Sequence, residues 1–257
     1  MARRRYSNRR RRRGSSDFLY KLLSVLIVCG CLVAAVTLFF RVNAIEVSGH
    51  QRYTAEDVRS ASGVELKSNL YLMDKREVAN RILDALPYVE QIRINRRLPS
   101  TLMIEVTECD EPLALVQDGY TWLISPKGKI VEQTDWSAAR RYATISGCEL
   151  LAPSVGTRIA LATEHINRQE SLMALLDALK EEGIMDRLDG IRLDDAKVLR
   201  MDYAGRFTVE LPYGADYNYK LRFLQEALAQ DEIQDNMTGT FVMTRDDGRV
   251  NFIQNVR

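Results

Sequence analysis

The chain has 257 residues, with 36 Lys and Arg against 35 Asp and Glu, a net charge of +1, and 46% hydrophobic residues. That balance hides a partition: residues 1–21 hold eight Arg, one Lys and one Asp, residues 22–40 hold no charged side chain, and residues 41–257 carry −7. A cationic tail, an apolar stretch and an acidic remainder exclude a single-domain cytosolic enzyme and point to an anchored chain with one or two globular domains.

As a helix, residues 22–40 would span roughly 28 Å, close to the ~30 Å hydrocarbon thickness of a bilayer. Val42-Asn43-Ala44 has the small-residue pattern that a signal peptidase accepts. Against cleavage, the apolar run is longer than a signal h-region, Arg41 separates it from the candidate site, and a strand begins at Ile45. The expectation is an uncleaved single-pass anchor, with tail 1–21 cytoplasmic and residues 41–257 outside by the positive-inside rule. So close to a bilayer, the Arg cluster is read as meeting anionic lipid headgroups rather than nucleic acid. Cys29 and Cys31 fall within the span. Cys109 and Cys148 could form one disulfide in an oxidising compartment, subject to a Cα separation that sequence does not supply.

Residues 41–110 read as strand, helix, helix, strand, strand. Ile45 and Val47 alternate with Glu46 and Ser48 as a half-buried strand. Thr54 is placed as the N-cap of a short helix that Gly63 closes. Asp74, with Glu77 three residues on, opens a second helix that buries Val78, Ile82 and Leu86 and stops at Pro87. Ile92 and Ile94 mark the next strand, residues 95–100 a polar turn, and Leu102, Ile104 and Val106 the following strand. One apolar face per helix and per strand makes a two-layer α+β domain.

Residues 111–257 read as a second, mostly antiparallel β domain with flanking helices. Residues 113–116 and 121–124 form a hairpin about Asp118-Gly119, and Pro126-Lys127-Gly128 leads to Ile130-Val131. Asn167 and Glu170 suggest a capping box for a helix that buries Leu172, Leu175, Leu176 and Leu179 and ends at Gly183. Residues 197–202 and 207–211 pair about Ala204-Gly205. Tyr217, Leu221, Leu224 and Leu228 give a last helix, followed by strands at 240–244 and 249–254 joined by Arg245-Asp246-Asp247-Gly248.

No catalytic, cofactor-binding or metal-binding residue is expected. His50 and His165 stand alone, no nucleophile elbow or P-loop occurs, and the acidic pairs 194–195 and 246–247 suit turns. What remains is binding. A final strand at 249–254 leaves an open sheet edge that can accept a partner's strand. Val250 and Phe252, sharing one face, serve either as partner pockets or as ordinary core.

The order of these segments resembles the FtsQ and DivIB family of bacterial cell-division proteins. The matching passages are residues 40–49, 87–90, 95–99 and 102–108, similar to that family's POTRA domain, and 111–114, 123–130 and 211–221, similar to its β domain. The individual motifs are short, and their order carries the resemblance over essentially the whole chain. It implies a non-enzymatic divisome scaffold at the septum, without cofactors or nucleic acid. Its implied partners are FtsL-type and DivIC- or FtsB-type coiled-coil membrane proteins. By position in the family, the partner-binding residues correspond to Thr244, Arg245, Gly248, Val250, Asn251 and Phe252, although the loop is more acidic here and little chain follows the strand. The alternative reading is a POTRA-containing component of secretion or outer-membrane assembly.

Overall fold

The computed structural model describes residues 15–162, 166–230, 233–234, 236–244 and 251–255. Helix α1 (Ser15–Phe39) includes an apolar, exposed stretch, Phe18–Thr37, long enough to cross a bilayer. Residues 15–21, assigned by charge to the tail, are therefore helical, because a helix leaving an apolar phase can keep its internal hydrogen bonds.

A three-stranded sheet follows, in the order β1-β3-β2, from β1 (Ala44–Ser48), β2 (Val89–Arg97) and β3 (Thr101–Glu108). Helices α2 (Ala55–Ser62) and α3 (Lys75–Ala85) pack on it, burying Val58, Val78 and Ile82 against Leu102, Ile104 and Val106. The Thr54 hydroxyl accepts from the Asp57 N–H at 3.1 Å while the Asp57 carboxylate accepts from the Thr54 N–H at 2.8 Å, a reciprocal cap for α2. At α3 the expected box with Glu77 does not form. Asp74 accepts from the Arg76 N–H at 2.8 Å, and Glu77 turns to Arg81, one helical turn on. Residues 95–97, read as a turn from their polarity, extend β2, because each pairs with β3 and Arg97 reaches Glu46 of β1 across the sheet.

The second sheet has nine strands in the order β12-β11-β10-β9-β8-β7-β4-β5-β6. These are β4 (Leu113–Gln117), β5 (Tyr120–Ile124), β6 (Ile130–Asp135), β7 (Thr144–Ser146), β8 (Leu188–Arg192), β9 (Val198–Tyr203), β10 (Phe207–Pro212), β11 (Gly239–Val242) and β12 (Asn251–Gln254). Most pairings are antiparallel, whereas β7 joins β4 and β8 in parallel and β11 joins β10 in parallel. Asp118 and Gly119 both take positive φ (53° and 80°), the left-handed pair that a two-residue hairpin turn needs. Helices α4 (Ile166–Glu181) and α5 (Tyr217–Leu228) bury Leu172, Leu175, Leu176, Leu179, Leu221 and Leu224 in the core. Asn167 lies inside α4 rather than at its cap, and His165 falls outside the described residues.

A small apolar cluster joins the two sheets: Tyr88 and Cys109 from the first, and Ala114, Leu123 and Val131 from the second. Around it, the Tyr88 hydroxyl donates to Glu132, Arg52 pairs with Glu132 at 3.0 Å, and the Arg52 guanidinium lies 3.8 Å over the Tyr88 ring. Burial, then the Glu132 carboxylate, pushes the Tyr88 phenol up. Lys129 Nζ crosses to donate to the Leu83 carbonyl at 2.7 Å. Glu90, its side chain only 1% exposed, is held by Lys180 of α4 at 3.2 Å. Cys109 and Cys148 are both free thiols. Burial pushes Cys109 up to about 12 and Cys148 up to about 11, and they belong to different apolar clusters, so the open disulfide alternative is not realised.

Removing the ammonium beside a desolvated carboxylate leaves a buried charge without its counterion. Lys180→Ala is expected to lower the unfolding free energy by about 1–3 kcal/mol, discounted for the half-exposed lysine. Urea denaturation followed at Trp122 measures it, and an unchanged midpoint contradicts this role for the pair.

Candidate partner interface

Two sheets present four edges, and on three of them another part of the chain meets at least one edge backbone group. On β1 the Ile45 carbonyl accepts from Arg59 Nε at 3.1 Å, and on β2 the Ile94 carbonyl accepts from Lys75 Nζ at 2.8 Å. On β6 the Ile130 N–H donates to the Thr157 carbonyl, and the Ile130 carbonyl accepts from the Gly156 N–H, each at 2.8 Å. Edge cover of this kind suppresses strand addition. At β12, among the described residues, no side chain or loop meets the outer backbone.

Which groups of β12 face outward follows from the ladder. The Asn255 N–H donates to the Thr238 carbonyl at 2.9 Å, so Asn255, Ile253 and Asn251 direct their backbone groups toward β11. Phe252 and Gln254 direct theirs away from the sheet.

Side-chain faces alternate the other way. The Phe252 ring lies 4.8 Å from Phe241 and 6.1 Å from Phe207, on the core face. Gly239, opposite Gln254 and diagonal to Phe252, has no room for a side chain: a Cβ there would lie 2.5 Å from the Ile253 carbonyl oxygen and 2.6 Å from the Phe252 ring, so β12 seats on glycine. Ile253 turns to the other face and is 57% exposed. On that face Arg192 holds Asp202 at 2.7 Å, and Arg200 is shared among Asp194, Asp195 and Glu210. The Glu210 hydrogen bond foremost raises the Arg200 guanidinium further, and the Lys197 N–H foremost holds Asp195 below the usual carboxylate range. Toward the edge these charges give way to Thr240, Val242 and Ile253, which lie in register across β11 and β12.

Of the residues expected at the interface, Thr244 is exposed just beyond β11, and Asn251 is exposed in β12 opposite Val242. Arg245, Gly248 and Val250 lie outside the described residues. Phe252 is half-buried, with its ring packed against the core. Ile253, Gln254 and Gly239, which also shape this edge, are not among the residues expected from sequence. Strand parity carried the signal for Ile253, since an inward Phe252 requires an outward neighbour.

Residues 40–108 match the family model described as POTRA domain, FtsQ-type. Cell division protein FtsQ of Syntrophotalea carbinolica is 24% identical over 231 residues, covering 82% of this chain and 76% of its own length. Cell division protein DivIB of Clostridium botulinum strain Hall is 22% identical over 214 residues, covering 83% and 80%. Cell division protein FtsQ of Geobacter sp. strain M21 is 30% identical over 161 residues, covering 62% and 55%.

Adding a methyl group at Gly239 forces β12 off β11. Gly239→Ala is expected to cost about 1–3 kcal/mol and to raise amide exchange at Ile253 and Asn255 selectively. Residue-resolved hydrogen exchange checks this, and native protection in the variant contradicts the seating of β12.

Proposed function

Because the chain belongs to the FtsQ/DivIB family and has a role in cell division, we propose that it is a non-enzymatic single-pass scaffold whose β12 edge accepts a strand from a small coiled-coil division protein. Proteins of the FtsL and DivIC or FtsB type are the partners intended. The observation that carries this reading is the contrast among edges: Arg59, Lys75 and residues 156–157 each engage backbone groups on the other three, while the outward groups of Phe252 and Gln254 meet nothing among the described residues. Backbone pairing would supply affinity there, and Ile253, Val242 and Asn251 would read the side chains of the added strand.

In this reading tail 1–21, with its +8, stays cytoplasmic beside anionic lipid, α1 crosses the membrane, and both sheets work on the extracytoplasmic side at the septum. Thr244 flanks the added strand and Phe252 acts indirectly by anchoring β12, while Arg245, Gly248 and Val250 remain partner candidates by sequence position alone. Nothing in the arrangement favours the secretion and outer-membrane assembly reading.

Gln254→Pro separates edge from core. Proline removes an N–H that faces away from β11 and puts a ring where an added strand would lie, yet spares the β11–β12 ladder. Co-purification of the full-length variant with the small partners is expected to fall at least about tenfold, equivalent to ~1.4 kcal/mol or more, with an unchanged melting temperature. Full recovery of the partner overturns the edge-strand reading.

A further inference from the structure

The end of α1 is joined to the first folded unit without a free linker. The Leu70 N–H donates to the Phe40 carbonyl at 2.9 Å, the Val42 N–H to the Ser68 carbonyl at 2.9 Å, and the Lys67 N–H to the Val42 carbonyl at 2.7 Å. The Phe40 ring meets Tyr71 edge-on at 5.0 Å. Phe40 closes the uncharged run 22–40 just after α1 ends at Phe39, and Arg41, the first charge beyond it, sets this turn at the level of the headgroup zone. The parallel pairing of β1 with β3, and the Asn43 N–H donating to the Ser100 carbonyl at 2.8 Å, bring the turn between β2 and β3 to the same end.

Two loops remote in sequence thus lie at one end of the unit, and both carry exposed apolar side chains. Leu72 is 79% exposed, Leu66 62% and Leu98 54%, none of them covered by the fold. Cations accompany them: Arg41 and Lys67 are exposed, and Arg96 donates to the Met73 carbonyl at 3.0 Å with its guanidinium 5.5 Å over the Tyr71 ring. Leucines at the boundary, an aromatic ring at headgroup depth and cations beside them are the composition of an interfacial membrane contact.

We propose that this end of the unit is a membrane footprint, with Leu66, Leu72 and Leu98 entering the headgroup boundary of the leaflet from which α1 emerges and Arg41 and Lys67 meeting lipid phosphates. The inference rests on the reading of α1 as a membrane span. A single helix leaves its cargo free to tilt. Contacts from two separate loops fix that tilt and set the direction in which the β domain projects.

The test uses the full chain, without partners, in nanodiscs of phosphatidylethanolamine and phosphatidylglycerol brominated near the top of the acyl chain for positions 72 and 98, and near the chain terminus for position 28. Leu72→Trp and Leu98→Trp are made singly, with the emission of Trp122 and Trp136 in the unmodified chain subtracted. Val28→Trp reports on the span itself. The added tryptophan at 72 and at 98 is expected to lose roughly half of its emission, as a residue at the headgroup boundary should. If Val28→Trp is quenched while Leu72→Trp and Leu98→Trp are not, the footprint is overturned and the span stands. If Val28→Trp also escapes quenching, the span reading falls, and the footprint with it.

Discussion

Every sheet that does not close on itself ends in backbone groups that must find a partner, water or another chain, and this constraint organises the molecule. Two sheets make four such edges. The side chains of Arg59 and Lys75 reach over β1 and β2, and residues 156–157 lie along β6. Long cations suit the task, because their stems pack on apolar surface while their heads donate to a carbonyl. The β12 edge stands apart, short and held in place by the Phe252 ring on Phe241 and Phe207. An edge anchored on its core face, whose outward backbone groups meet nothing among the described residues, has the geometry that strand addition uses.

That edge is useful only if it is held at a defined place. From the Phe40 and Val42 contacts with residues 67–70, the chain passes through the first sheet to the junction around Tyr88, Cys109, Leu123 and Val131. Lys129, Lys180 and Arg52 cross that junction to meet backbone or carboxylate partners. A junction that combines apolar contact with ion pairs and hydrogen bonds resists hinge motion better than apolar contact alone. The end of α1 is therefore connected to the β12 edge through packed structure rather than through a linker, as the proposed scaffold would require.

Local structure was legible in the sequence wherever a local rule decided it. Helical spacing at Val78 and Ile82, and at Leu221 and Leu224, marked buried faces, and Asp118-Gly119 marked a hairpin. The failures have specific causes. Asn167 and Glu170 imitate a capping box, but neighbouring residues also favour the helix and the terminus lies earlier. Residues 95–97 look like a turn because their outward side chains are polar, whereas long-range pairing with β3 decides their state. The short β7, a parallel bridge at the middle of the large sheet, has too few residues to show any period.

The binding edge was half legible. Its place at the end of the chain followed from strand order, but which face of β12 is core did not, since period-two alternation gives parity without direction. Gly239 explains itself only when Phe252 lies on it. The central claim is that the outward backbone of β12 pairs with a partner strand, and amide exchange measured residue by residue, with and without the extracytoplasmic segment of the small partner, tests it most directly. Protection is predicted to rise at Phe252 and Gln254, whose N–H groups face away from β11, and to change far less at Ile253 and Asn255, which the ladder already protects. Partner-induced protection that leaves Phe252 and Gln254 unchanged and appears on another element would contradict the account.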